Sequence, residues 1–171
     1  ILYSSSENIE GTEHRESYNQ INKIQFEDIS FSYKGAATPA INNISICLER
    51  GTIIGITGHS GAGKSTFLDI LMGLQEQSTG LINVNDRSSK LFDNSDWFKK
   101  ISYAPPSTAL FKANLEMNIL FNAENASLEE AFKVANLDFL NLSSDLLKPY
   151  TQDNFSEGQL QRIGLARAIA K

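Results

Sequence analysis

Gly58-His59-Ser60-Gly61-Ala62-Gly63-Lys64-Ser65 follows the spacing G-x-x-x-x-G-K-S, with Thr66 directly behind it. Residue types in this order suit one task, the holding of a polyphosphate. Glycines let main-chain N–H groups turn inward around a phosphate where side chains would stand in the way. Lys64 adds a mobile cation for the β- and γ-phosphates, and the Ser65 hydroxyl is a ligand for Mg2+. A helix starting near Lys64 turns its positive end toward the same group. Four such fixed positions would arise by chance on the order of once in a hundred chains of this length. His59 belongs to the loop by position, and its side chain reads as a tolerated, solvent-facing one.

Such a loop needs a strand in front of it and a helix behind it. Thr52-Ile53-Ile54-Gly55-Ile56 is a short β-branched run, which predicts a strand buried on both faces. Phe67, Ile70, Leu71 and Leu74 fall at i, i+3, i+4 and i+7, the stripe of an amphipathic helix. Further upstream, Ile24 and Phe26, then Ile29, Phe31 and Tyr33, alternate with polar residues as in a half-buried strand. The phase slips at Glu27-Asp28, which predicts a bulge. After the turn at Lys34 to Pro39, Ile44, Ile46 and Leu48 predict a second strand; Leu81 to Val84 and Ile101 to Ala104 predict two more. From Ser127 the pattern is helical. Ser127 and Glu130 have capping-box spacing, with Leu128, Phe132 and Ala135 on one face. Short helices follow from Leu137 to Leu147 and stop before Pro149, and a last helix runs from about Ser156 to the end. Residues 4–20 are polar and without period, so residues 1–22 read as a linker and order begins near Lys23.

Composition narrows the partners. The 171 residues fit one domain, and 15 Lys+Arg against 20 Asp+Glu give a net charge of -5, which argues against a nucleic-acid-binding face. One cysteine, Cys47, and two histidines, His14 and His59, leave no disulfide framework and almost nothing for a zinc site. No apolar run approaches the roughly 18 residues of a membrane span. The start at Ile1 is neither an initiator methionine nor a signal peptide, and Lys171 falls inside a helical pattern, so both ends read as cut.

A second motif lies near the C-terminus. Asn154-Phe155-Ser156-Glu157-Gly158-Gln159-Leu160-Gln161-Arg162, then Ile163-Gly164-Leu165-Ala166-Arg167-Ala168, resembles the L-S-G-G-Q signature of ATP-binding-cassette (ABC) ATPases with its Q-R and A-R-A continuation. Phe155 replaces the Leu and Glu157 the first Gly. The resemblance runs from about Lys23 to Lys171. It implies an α/β fold: a P-loop NTPase core with an antiparallel β subdomain and a helical subdomain over about residues 107–160, incomplete at the C-terminus. It implies ATP and Mg2+ as cofactors, bound by Tyr33, by Gly58, His59, Ser60, Gly61, Ala62, Gly63, Lys64, Ser65 and Thr66, with Ser65 on the metal. Tyr33 stands where the family stacks an aromatic ring on adenine, although a strand-end core tyrosine is the alternative. Ser156, Glu157, Gly158 and Gln159 would reach the γ-phosphate held by a partner subunit. Trp97 matches no ligand position and reads as packing.

Ile101 to Pro106, then Leu110-Phe111 and Asn118-Ile119, resembles the family's Q-loop region, but the Gln position falls on Pro106. Proline has neither an N–H nor a side-chain donor, so a site that binds ATP tightly and hydrolyses it slowly is expected. The family's Walker B acid, which serves as general base, and its switch histidine follow the signature helix. This chain stops before them, so residues 1–171 alone are expected to be inactive. The stretch Ile24 to Tyr33 after a polar linker, and Leu110 to Ile119, are similar to exporters. The implied partners are a second ABC ATPase domain, in a homo- or heterodimer, and a transmembrane domain fused upstream; the implied location is the cytoplasmic face of the cell (inner) membrane. A soluble cassette ATPase without membrane domains, or a non-hydrolytic nucleotide-gated module, remains as an alternative.

Overall fold

The computed structural model describes residues 20–121, 123 and 127–171. Most of the expected linker, residues 1–19, lies outside the described residues. The chain divides into two compact units after Ile101.

The first unit is built on an antiparallel sheet of order β2-β1-β3-β4. Its strands are β1 (Lys23–Phe31) and β2 (Ile41–Glu49), then, after helix α1 (Lys64–Leu71), β3 (Thr79–Val84) and β4 (Arg87–Ser88); helix α2 (Ser95–Phe98) follows. The predicted slip in β1 is present. Pairing with β2 runs in register from Lys23↔Glu49 to Phe26↔Ile46 and resumes at Ile29↔Ile44, and Asp28 between them has φ 51°. The extra residue restores the inward side of the strand, so that Phe26, Ile29 and Phe31 are all buried. Asn85 and Asp86, at φ 49° and 63°, make the tight turn between β3 and β4. Asn85 also ties down the entry to β1: its Oδ1 accepts from Asn22 N at 2.8 Å and its Nδ2 donates to Gln20 O at 2.6 Å. The core joins Phe26, Ile29, Ile82 and Val84 of the sheet to Phe67 and Ile70 of α1 and to Leu91 and Trp97. Trp97 is 0% exposed and its Nε1 donates to Leu71 O at 2.8 Å, the packing role expected of it.

Three expectations are overturned. Residues 52–57 form no strand, and Ile53 is fully exposed, with Ile54 and Ile56 also exposed. A strand buried on both faces needs a ladder on each side, and among the described residues no strand pairs with it. Residues 101–104 likewise form no strand. Leu74 is exposed, because α1 ends at Leu71 and the helical stripe stops with it.

The second unit is helical. It contains α3 (Leu115–Ile119), α4 (Leu128–Val134), α5 (Leu142–Asp145), a 3₁₀ turn (Gln152–Asn154) and α6 (Glu157–Ala170). Ser127 caps α4 by accepting from Glu130 N at 3.2 Å. Ile163, Ala166 and Ala170 of α6 pack with Leu115 and Ile119 of α3 and with Ala131 and Phe132 of α4. The antiparallel sheet and the separate helical unit match the α/β plan.

Candidate functional site

In the first unit the phosphate loop is shaped by its glycines. Gly58, Gly61 and Gly63 have φ of 154°, 80° and 82°, a region that other residues avoid. At Gly63 a second reason applies: an added Cβ would collide with the carbonyl oxygen of Ala40. That close approach seats the start of α1 on the turn between β1 and β2. Ala62 N donates back to His59 O at 3.2 Å and closes the loop. Lys64 Nζ donates to Gly58 O at 2.9 Å and His59 O at 2.8 Å, so the cation lies folded across its own loop. His59 is exposed, with Nδ1 2.8 Å from Ser60 O. Ser60, Gly61, Ala62 and Ser65 are also exposed.

Thr66 is buried, and its Oγ1 lies 3.0 Å from the hydroxyl of Tyr33. The ring of Tyr33 stands edge-on to Phe31, centroids 4.9 Å apart at 88°, and remains 47% exposed. Tyr33 and the loop, 25 or more residues apart in sequence, are thus brought together. A half-exposed ring beside a glycine-built loop, with a lysine and two hydroxyls at the helix start, fits a nucleoside polyphosphate with a cation. Sequence reasoning missed the bond between Tyr33 and Thr66, for which spacing carries no signal.

In the second unit Ser156 is the N-cap of α6. Its Oγ accepts from Gln159 N at 3.3 Å, and Gln159 Oε1 accepts from Ser156 N at 2.9 Å, a reciprocal capping box. Glu157 is exposed in the first turn, and an added Cβ at Gly158 would meet nothing within 4 Å. Phe155, in the place of the usual Leu, packs against Tyr150 (centroids 5.0 Å) and Phe139 (6.2 Å), which accounts for its size. Pro106 is exposed and offers only its carbonyl, which accepts from Gln161 Nε2 at 3.1 Å.

Asn118 and Arg167, quoted above only as motif letters, form a polar network. Asn118 is 1% exposed; its Oδ1 accepts from Phe111 N at 2.8 Å, and its Nδ2 reaches the carbonyls of Phe111 (3.2 Å), Ala113 (3.3 Å) and Asn114 (3.0 Å). Arg167 Nε donates to Asn118 O at 2.7 Å, and the guanidinium lies 5.1 Å from the Phe111 ring centre. Burial holds the Arg167 pKa below its ordinary value.

Comparison with known proteins points one way. The family model described as "ABC transporter" matches residues 41–171. A putative export ATP-binding/permease protein of Rickettsia bellii is 32% identical over 155 residues, covering 86% of this chain and 27% of that protein. A probable ABC transporter ATP-binding/permease protein of Haemophilus influenzae is 31% identical, covering 87% and 28%. An ATP-dependent lipid A-core flippase of Saccharophagus degradans is also 31% identical, covering 87% and 26%. Among solved structures, a bacterial Atm1-family ABC exporter with ATP bound is similar at TM-score 0.76 and 23% identity, over 88% of this chain and 28% of that one; this likeness speaks for the fold. The chain spans little more than a quarter of these relatives.

Proposed function

The chain belongs to the ABC transporter family, and from that premise we propose that it is the ATP-binding domain of an exporter, in which ATP binding and hydrolysis drive substrate across a membrane. The observation that carries the reading is the loop from Gly58 to Thr66, with Lys64 folded over its carbonyls and Tyr33 bonded to its last residue. Tyr33 would stack on the base, the loop would hold the β- and γ-phosphates with Lys64 leaving the carbonyls of Gly58 and His59 to bind them, and Ser65 would offer its hydroxyl to Mg2+. When bound, Mg2+ would neutralise phosphate charge; the chain's own part is to bind and orient the nucleotide.

Ser156, Glu157, Gly158 and Gln159 face the γ-phosphate of a second ABC ATPase domain in this reading. The relatives named as ATP-binding/permease proteins support a membrane domain fused to this one; in the same reading the ATP site is assigned to the cytoplasmic face. No helix among the described residues is long and apolar enough to cross a membrane. The resemblance puts the water-activating acid after the signature helix, so residues 1–171 alone would bind ATP without turning it over.

The experiment is titration of a fluorescent ATP analogue against the full-length protein and its Lys64→Ala variant. Loss of the loop's cation should weaken binding at least tenfold, the equivalent of about 1.4 kcal/mol. Equal affinities would remove the assignment.

A further inference from the structure

Gln161, Gly164 and Arg167 recur at every third residue of α6, which brings them onto one side of the helix. The loop of residues 106–109 runs beside them and is held at successive points. Gln161 Nε2 donates to Pro106 O at 3.1 Å, and Arg167 Nη2 donates to Ala109 O at 3.1 Å. Between them Thr108 closes on Gly164. A Cβ at Gly164 would collide with Thr108 Oγ1 and lie 3.2 Å from Thr108 Cβ and 3.3 Å from its Cγ2. A third side chain, Gln152 Nε2, donates to Thr108 O at 3.3 Å. The carbonyls of residues 106, 108 and 109 are therefore each gripped by a side chain, and the side chain of Thr108 fills the notch that glycine leaves.

These grips use main-chain carbonyls, so they do not depend on a glutamine at position 106. Proline lacks an N–H and a polar side chain but keeps its carbonyl. At a rise of about 1.5 Å per residue, Gln161 sits about 8 Å and Arg167 about 17 Å along the axis from Ser156. The hydrogen-bonded helix between them cannot shorten, so a displacement of its first turn is carried to the loop.

We infer that this side of α6 is a clamp that makes loop 106–109 one rigid piece with the signature helix, and that Gln161 is a positioning residue for ATP hydrolysis. The inference rests on the proposed function, since it is the γ-phosphate contact of the Ser156 turn that gives the coupling its use. Nucleotide binding to the loop at Gly58 is not its concern; the rate of the hydrolytic step is.

The test measures steady-state ATPase kcat and KM, together with binding of a fluorescent ATP analogue, in the full-length protein. Gln161→Glu keeps the length of the side chain and removes its donor; Gln161→Lys returns a donor. Gly164→Ala forces Thr108 out of its notch, and adding Thr108→Ala makes room again. Gln161→Glu and Gly164→Ala should each lower kcat about tenfold, the effect of about one lost hydrogen bond, with KM and analogue binding within about twofold. Gln161→Lys and the Gly164→Ala/Thr108→Ala double variant should return kcat to within about threefold of the parent. Full kcat in Gln161→Glu overturns the clamp, and so does a Gly164→Ala loss that Thr108→Ala fails to relieve. If Gly164→Ala does not fold, the Gln161 pair decides alone. A parent protein that binds no ATP instead removes the proposed function, and the clamp's purpose with it.

Discussion

Replacing Asn118 with alanine removes the acceptor of Phe111 N and the donor that reaches the carbonyls of Phe111, Ala113 and Asn114. An amide NH2 has two hydrogens, so its three contacts count as about two bonds; Oδ1 adds a third from Phe111 N and a long, weak one of 3.4 Å from Arg167 Nη2. At about 1 kcal/mol net per bond, with part of the Phe111–Asn114 backbone left unpaired at a site 1% exposed, the loss comes to about 2–4 kcal/mol. For a chain of this length each kcal/mol moves Tm by about 2–4 °C, so a fall of about 5–15 °C is expected. Far-UV circular dichroism during heating is the assay. Asn114→Ala serves as the comparison: it deletes an N-cap whose Oδ1 accepts from Met117 N at 2.8 Å, worth about 1 kcal/mol, and should cost visibly less. A change under about 2 °C in Asn118→Ala, or a larger one in Asn114→Ala, would refute the bond count.

Tyr33→Phe keeps the ring and loses only the bond to Thr66, so affinity for a fluorescent ATP analogue should fall about 2–5-fold. Tyr33→Ala should cost about tenfold or more by also removing the stacking surface, and equal losses would mean that the ring does not touch the base. Thr108→Val should hold or raise Tm, because the buried Thr108 Oγ1 has no hydrogen-bond partner among the described residues and a methyl group avoids about 1 kcal/mol of desolvation cost. Asp145 is held down to about 2 by the Lys148 ammonium (2.7 Å) and by the N–H of Asn141 (2.8 Å). Its folded pKa lies below the unfolded value of about 3.9, so the stabilisation is full above that value and is lost as pH falls through about 2; NMR titration of the carboxyl should find the low midpoint, and Asp145→Asn should flatten the acid limb of the stability curve.

Contacts of known chemical type at short range were legible in the sequence. The loop at Gly58 is contiguous, and each glycine stands where the backbone turns to positive φ. The slip in β1 shows as a change of phase at Glu27-Asp28, because side chains two apart must share a face. The start of α6 at Ser156 follows from a local exchange of hydrogen bonds with Gln159. The β-branched run at Ile53 also reads clearly, yet it forms no strand. Side chains record what a segment prefers, whereas pairing depends on neighbours that the run itself does not name.

Pro106 shows the deeper limit. Read as a letter, it stands where the family resemblance expects a glutamine, because sequence comparison weighs side chains. In the fold its carbonyl is the group in use, and every residue type carries one. The same holds for Ala109, whose carbonyl receives Arg167, and for Phe111, Ala113 and Asn114, whose carbonyls receive Asn118. In each case the side chain that donates is visible in the sequence and the atom that accepts is not. A substitution at position 106 therefore removes one function, the side-chain amide, and leaves the other intact. What proline adds is a fixed φ near −65°, which narrows the directions in which that loop can move relative to α6. The loop keeps the backbone through which the helix holds it, whatever side chain stands at position 106.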